Sequence, residues 1–138
     1  MRENKFRAFV KNKNIIVKVD KINFENKIIV TYLDELPFPT SAVYSFEDIE
    51  LMQYIGLKDK NGKEIYEGDI VRKKCNYLNT GETKIRLYKV VWKEEWCAWA
   101  LKKLGNCTQS CYMYKNELDF CEIVGNIYEN PELLEENE

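Results

Sequence analysis

No histidine occurs among the 138 residues, and this removes the one side chain whose unperturbed pKa lies near neutrality. Nucleophile systems of the Ser-His-Asp and Cys-His kinds are therefore excluded. A carboxylate pair could still serve as acid and base, but no sequence feature marks any of the 23 acidic residues as buried. Glycine-rich phosphate loops and dinucleotide fingerprints are absent as well. The expectation is a non-enzymatic protein with no catalytic residue and no cofactor.

Thiols are the next candidates. The five cysteines are Cys75, Cys97, Cys107, Cys111 and Cys121, an odd number with no Cys-x-x-Cys pair. Four of them, Cys97, Cys107, Cys111 and Cys121, could supply a structural zinc site with thiolates. The usual two-residue knuckle is missing, and Cys97 lies inside an apolar run read as a strand. Buried thiols behaving as small hydrophobes account for the same residues, so no metal is expected. Met1–Arg7 is charged and leads into no apolar signal core. No stretch approaches the roughly 18 apolar residues of a membrane span. A cytoplasmic location and reduced cysteines are expected.

Two surfaces remain for binding. Arg72, Lys73, Lys74, Lys84, Arg86, Lys89 and Lys93 form a basic stretch interleaved with Tyr77, Tyr88, Trp92 and Trp96. Cations neutralise phosphates and rings stack on unpaired bases, so this stretch is a candidate nucleic-acid surface. The overall pI of about 5.4 argues against that reading, as does the expectation that Trp92, Trp96 and Trp99 belong to the core. Tyr112 and Tyr114, in a loop-flanked segment, are the residue types that protein interfaces favour, and a protein partner is the preferred reading. The net charge of −2 conceals alternation: +5 over residues 1–30, −6 over 31–70, +7 over 71–115 and −8 over 116–138. Such blocks can dock one segment on another, within a chain or between copies as a homo-oligomer.

Strands must position these residues. At 45% hydrophobic and 13% aromatic the composition supports a true core, and its aromatic load favours pleated surfaces. Residues 5–10, 15–19 and 27–33 are short apolar runs between Asn-containing breaks, the signal of hairpins. Pro37 and Pro39 force an extended segment outside any ladder. Residues 41–46 suit a strand, and Ser45 with Asp48 also suits one helical turn. Residues 50–55 and 69–74 read as strands around Asn61-Gly62 and Glu67-Gly68-Asp69, both tight turns. Residues 84–92 and 96–101 read as strands apolar on both faces, with Val90, Val91 and Trp92 buried on each side. Residues 112–114 pair briefly and 120–124 form a last strand. Pro131 suits the first position of a short helix. This pattern predicts a mainly β chain forming a small barrel or sandwich.

The segment Leu51–Val71 contains Tyr54-Ile55-Gly56-Leu57-Lys58-Asp59, then Asn61-Gly62 and Tyr66-Glu67-Gly68-Asp69. It resembles the signature of the YopX-like proteins of phages and prophages. The opening Arg2–Ala8 and the closing Ile123–Leu134 resemble the ends of that family. Asn4 stands where the family usually carries an apolar residue, and the cysteine-rich stretch 97–121 matches none of its motifs. The resemblance implies an SH3-like small barrel in the C-terminal half, an N-terminal β lobe and an oligomer. The lobe is expected to span residues 1–48, the barrel 49–130 and an acidic tail 131–138, with the Pro37 and Pro39 segment near the lobe boundary. It implies a phage accessory protein acting on a host or phage factor in the bacterial cytosol, and it brings no catalytic residue.

Overall fold

The hairpin ladders among the described residues are antiparallel, as a hairpin-rich sequence requires. The computed structural model describes residues 2–33, 40–105 and 110–135, apart from the side chain of Asn116. Pro37, Pro39 and Cys107 fall outside these residues. The chain is mainly β with a curled, half-closed sheet, and divides into two units, Met1–Tyr54 and Ile55–Glu138.

In the first unit β1 (Phe6–Val10) turns through Lys11–Asn14 into β2 (Ile15–Lys18), with Arg7 opposite Lys18 and Val10 opposite Ile15. Asn14 closes the turn at φ 53°, a left-handed conformation that asparagine tolerates. The hairpin of β3 (Lys21–Asn23) and β4 (Ile28–Leu33) follows. β3 was not anticipated, because one isoleucine between polar residues gives almost no alternation. Asn23 Oδ1 accepts the Asn26 N–H at 2.9 Å, and Lys27 takes the left-handed position. β5 (Thr40–Ser45) pairs with β4. Ser45 ends it and caps a 3-10 turn over Phe46–Asp48, so both readings of this segment hold. β6 (Ile49–Lys58) pairs its first half with β1. Ala8, Val10, Val17, Ile29 and Ile49 form the core of this unit.

In the second unit the far half of β6 leads through Asn61-Gly62 to β7 (Glu64–Tyr66), its neighbour in the sheet. Gly62 and Gly68 sit at φ 78° and 85°, as their turns demand. A five-stranded sheet follows, ordered β11-β10-β9-β8-β12. Its members are β8 (Asp69–Asn76), β9 (Thr83–Lys93), β10 (Ala98–Lys103), β11 (Ser110–Tyr112) and β12 (Glu122–Asn126). One face carries Val71, Tyr88, Val90 and Leu101, packed with Ile55, Ile65, Leu118 and Cys121. β12 starts two residues later than expected, bulges between Ile123 and Gly125, and leaves Phe120 outside the ladder. A one-turn helix, α1 (Lys115–Leu118), precedes it and supplies Leu118 to the core. Four residues are too few to leave a helical period in the sequence. Pro131 opens a 3-10 turn, Pro131–Leu134, as its missing N–H favours.

Two expectations fail in this sheet. Val90 is buried but Trp92 is 47% exposed, because β9 runs past the core before it turns. Cys97 lies in no strand: Glu94–Trp96 form a 3-10 turn, and Cys97 closes it at φ 47° with its side chain exposed.

Candidate functional site

The hairpin of β9 and β10 sets Trp92 opposite Trp99 and Val91 opposite Ala100, while Ala100 faces Tyr112 of β11. Side chains at directly opposed positions share a face. Trp92 and Trp99 therefore meet edge to face, centroids 5.1 Å apart, on the side of the core. The opposite side carries Val91, Lys93, Ala98, Ala100, Lys102 and Tyr112. Ala98 and Ala100 leave room above themselves, and the ring of Trp96 stacks on Tyr112 at 4.1 Å. Tyr114 joins Tyr112 at 6.4 Å, and Lys93 Nζ lies 4.3 Å from the centre of the Trp96 ring. Tyr112 and Tyr114 remain 52% and 60% exposed. Trp96 and Trp92 are therefore not core residues, contrary to the sequence expectation. The alternation of large and small residues over 96–101 was legible, but its outward half could not be told from its inward half.

The seven basic residues do not form one stripe. Strand alternation places Arg72, Lys74, Lys89 and Lys93 on one face and Lys73, Lys84 and Arg86 on the other. Most have partners. Arg72 and Lys60 share Glu122, the lysine at 3.6 Å. Lys73 pairs with Glu117 at 3.3 Å and Lys84 with Glu82 at 3.9 Å. Lys84 and Arg86 both lie over the Tyr77 ring. Burial and the facing Lys102 hold the Lys89 ammonium below its usual range. Among the described residues, only Lys74 and Lys89 of the seven have neither a carboxylate nor a ring beside them.

Two buried carboxylates escaped the sequence reading, which expected solvated acids. Asp59 Oδ1 accepts the N–H groups of Asn61 and Lys63, both at 2.9 Å, and its Oδ2 accepts that of Ile123 at 3.0 Å. Burial opposes its charge, but those three donors and Lys63 outweigh it and hold the carboxyl below its ordinary range. Asp69 Oδ2 accepts the Tyr66 N–H at 2.8 Å. Both clasp turns, and their position beside Asn61-Gly62 and Gly68 was the signal available.

The thiols are dispersed. Cys121 is fully buried, its Sγ 3.3 Å from the Glu117 carbonyl, and burial pushes its pKa up to about 11. Cys75 lies 3.8 Å from the Tyr88 hydroxyl, and burial together with that contact raises the phenol's pKa. The Cys121 thiol is therefore no activated nucleophile at neutral pH. Cys97 and Cys111 are exposed, which corrects the expectation of uniformly buried thiols. No group of three His, Cys, Asp or Glu side chains able to hold a metal occurs among the described residues.

Hairpins paired into curled sheets, with rings and ion pairs gathered at the sheet edges, define a small, mainly β domain. The chain belongs to the YopX family: residues 5–135 match the YopX protein. The crystal structure of protein EF1440 from Enterococcus faecalis matches with a TM-score of 0.61 over 97% of this chain and 99% of that one, at 24% identity, a likeness of fold. No curated protein matches. No helix among the described residues is long and apolar enough to cross a membrane.

Proposed function

We propose that this chain is a non-enzymatic protein-binding module, an accessory protein of a phage or prophage that engages a host or phage factor in the bacterial cytosol. In this reading the C-terminal half is an SH3-like small barrel, and copies of the chain associate through the β lobe. The observation that carries the proposal is the pair of exposed rings Tyr112 and Tyr114, backed by the half-buried Trp96 that stacks on Tyr112. Aromatic anchors of this kind are enriched at the centres of protein interfaces. The test is affinity capture from host lysate, followed by titration of the retained protein against the purified chain. Tyr112→Ala with Tyr114→Ala should weaken that titration at least tenfold, and unchanged affinity overturns the assignment. Light scattering at two salt concentrations tests association: a 16.4 kDa monomer in both removes it.

A nucleic-acid surface is the second reading, favoured by the common face of Arg72, Lys74, Lys89 and Lys93. Ion pairing argues against it. So does the Trp96 ring, held between Lys93 and Tyr112 with no open face for a base. Binding of single-stranded DNA that falls steeply with salt, and that Lys74→Glu with Lys89→Glu abolishes, would establish it instead.

A further inference from the structure

At the other end of the five-stranded sheet β8 outruns its neighbour. β12 pairs with β8 only as far as Glu122 opposite Arg72, while β8 continues to Asn76. Beyond Arg72 the chain that would have continued β12 leaves the ladder through Phe120 and α1. It leaves a groove of about 660 Å³ between the β8 edge and Glu117–Phe120. The direction of the exposed backbone groups follows from the register. The Tyr77 N–H donates to the Glu82 carbonyl at 2.9 Å, so Tyr77, and by alternation Cys75 and Lys73, turn their backbone groups toward β9. Lys74 and Asn76 turn theirs the opposite way, into the groove.

We infer that this edge of β8 accepts an extended segment of a partner protein as an added strand. The segment carries one carboxylate side chain and one large apolar side chain. Four backbone groups in strand alternation are what another extended chain satisfies. Phe120, 77% exposed on the groove wall, supplies the apolar contact. Lys74 is the groove cation that no carboxylate neutralises, since Lys60 and Arg72 share Glu122 and Lys73 holds Glu117. With Lys60, Arg72 and Lys73 already paired, one unneutralised cation suits a single carboxylate and is too few for a phosphate backbone, which separates this site from the nucleic-acid reading. The inference shares the protein-recognition reading but uses a different edge of the sheet, so either fails without the other.

The test begins on the chain alone. Amide exchange should be fast at Lys74 and Asn76 and slow at Lys73 and Cys75; protection of all four overturns the open edge. A displayed library of linear heptapeptides is then selected on the full chain, and the enriched peptides are synthesised. Their binding should fall at least tenfold with Lys74→Glu and with Phe120→Ser, and should survive Tyr112→Ala. Methylating alternate backbone nitrogens of the peptide should abolish binding at one phase of the alternation and spare it at the other. Failure to enrich, or peptides indifferent to both variants and to methylation, overturns the inference. A wild-type dimer that Phe120→Ser converts to a monomer also overturns it, because a second copy then fills the groove.

Discussion

The two edges of the five-stranded sheet are finished by opposite chemistry. At the β11 edge rings finish the fold: Tyr112, opposite the small Ala100, stacks on Trp96, and Lys93 lies over the Trp96 ring. At the β12 edge charges finish the fold. Asp59 ties the β6–β7 turn to the Ile123 N–H, and Glu122 joins Lys60 to Arg72. The first edge is held chiefly by ring contacts that involve no carboxylate. The second depends on ionised carboxylates. A short edge strand can thus be secured in either way, and the choice decides what each edge offers a partner: a hydrophobic platform at β11, an open ladder flanked by ions at β8.

The largest consequence concerns Asp59. Asp59→Ala leaves three backbone N–H groups without their carboxylate, and hydrogen bonds to charged groups contribute about 1.5–3 kcal/mol each, less than additively. Urea denaturation should show a loss of about 3 kcal/mol or more. A loss under 1 kcal/mol would mean that the β12 edge does not depend on this clasp.

Thiol reactivity should separate the edges nearly as strongly. Cys97 and Cys111, near the β11 edge, are exposed, whereas Cys121 beside β12 is buried with its pKa pushed up to about 11. A rise of that size lowers the thiolate fraction roughly a hundredfold. Maleimide labelling followed by peptide mapping should therefore modify Cys97 and Cys111 first and reach Cys121 only on unfolding. Early labelling of Cys121 would contradict the packing around Leu118.

Trp96→Ala removes a stacked ring and a cation–π contact, together about 1–2 kcal/mol. Most of that loss should persist from 0.05 to about 0.5 M salt, since the Debye length does not bear on ring stacking. A loss that salt mostly removes would erase the contrast with the other edge.

Acid should act only at the β12 edge. The carboxyls of Asp59 and Glu122 both lie below their ordinary ranges; for Glu122 the Arg72 contact is the main cause, against burial. A depressed carboxyl contributes stability that is complete above its unfolded pKa and is lost as pH falls through the folded one. Thermal midpoints should hold down to about pH 4.5 and fall below it, and Asp59→Asn should flatten that decline. The smallest effect is expected from Arg72→Ala, because the Arg72–Glu122 pair is exposed and water screens it. Its thermal midpoint should stay close to that of the parent chain.

Most strands were legible. β1, β2, β4 and β6 are apolar runs between polar breaks, and turns at Asn61-Gly62 and Gly68 fell where left-handed conformations are needed. β3 and α1 were not legible, because three or four residues carry too little periodicity to register. The site was legible in part. Tyr112 and Tyr114 were picked out as interface types and are exposed, but Trp96 was assigned to a core it does not join. Apolar character on both faces of 96–101 says that both are covered, not by what. The basic stretch read as one feature because sequence order hides strand alternation, which sends neighbouring lysines to opposite faces.

What the sequence alone determined is local or chemical in kind. The missing histidine ruled out whole classes of catalysis, the hairpin turns set the antiparallel pairing, and the motif at 51–71 carried the family resemblance. What only the tertiary structure decided depends on lengths and registers between distant segments. β12 ends at Arg72 while β8 runs to Asn76, Asp59 finds Ile123 sixty-four residues away, and Trp96 reaches Tyr112 across β10. No local pattern encodes where one strand stops beside another, because that is settled by the packing of α1 and Cys121 into the core.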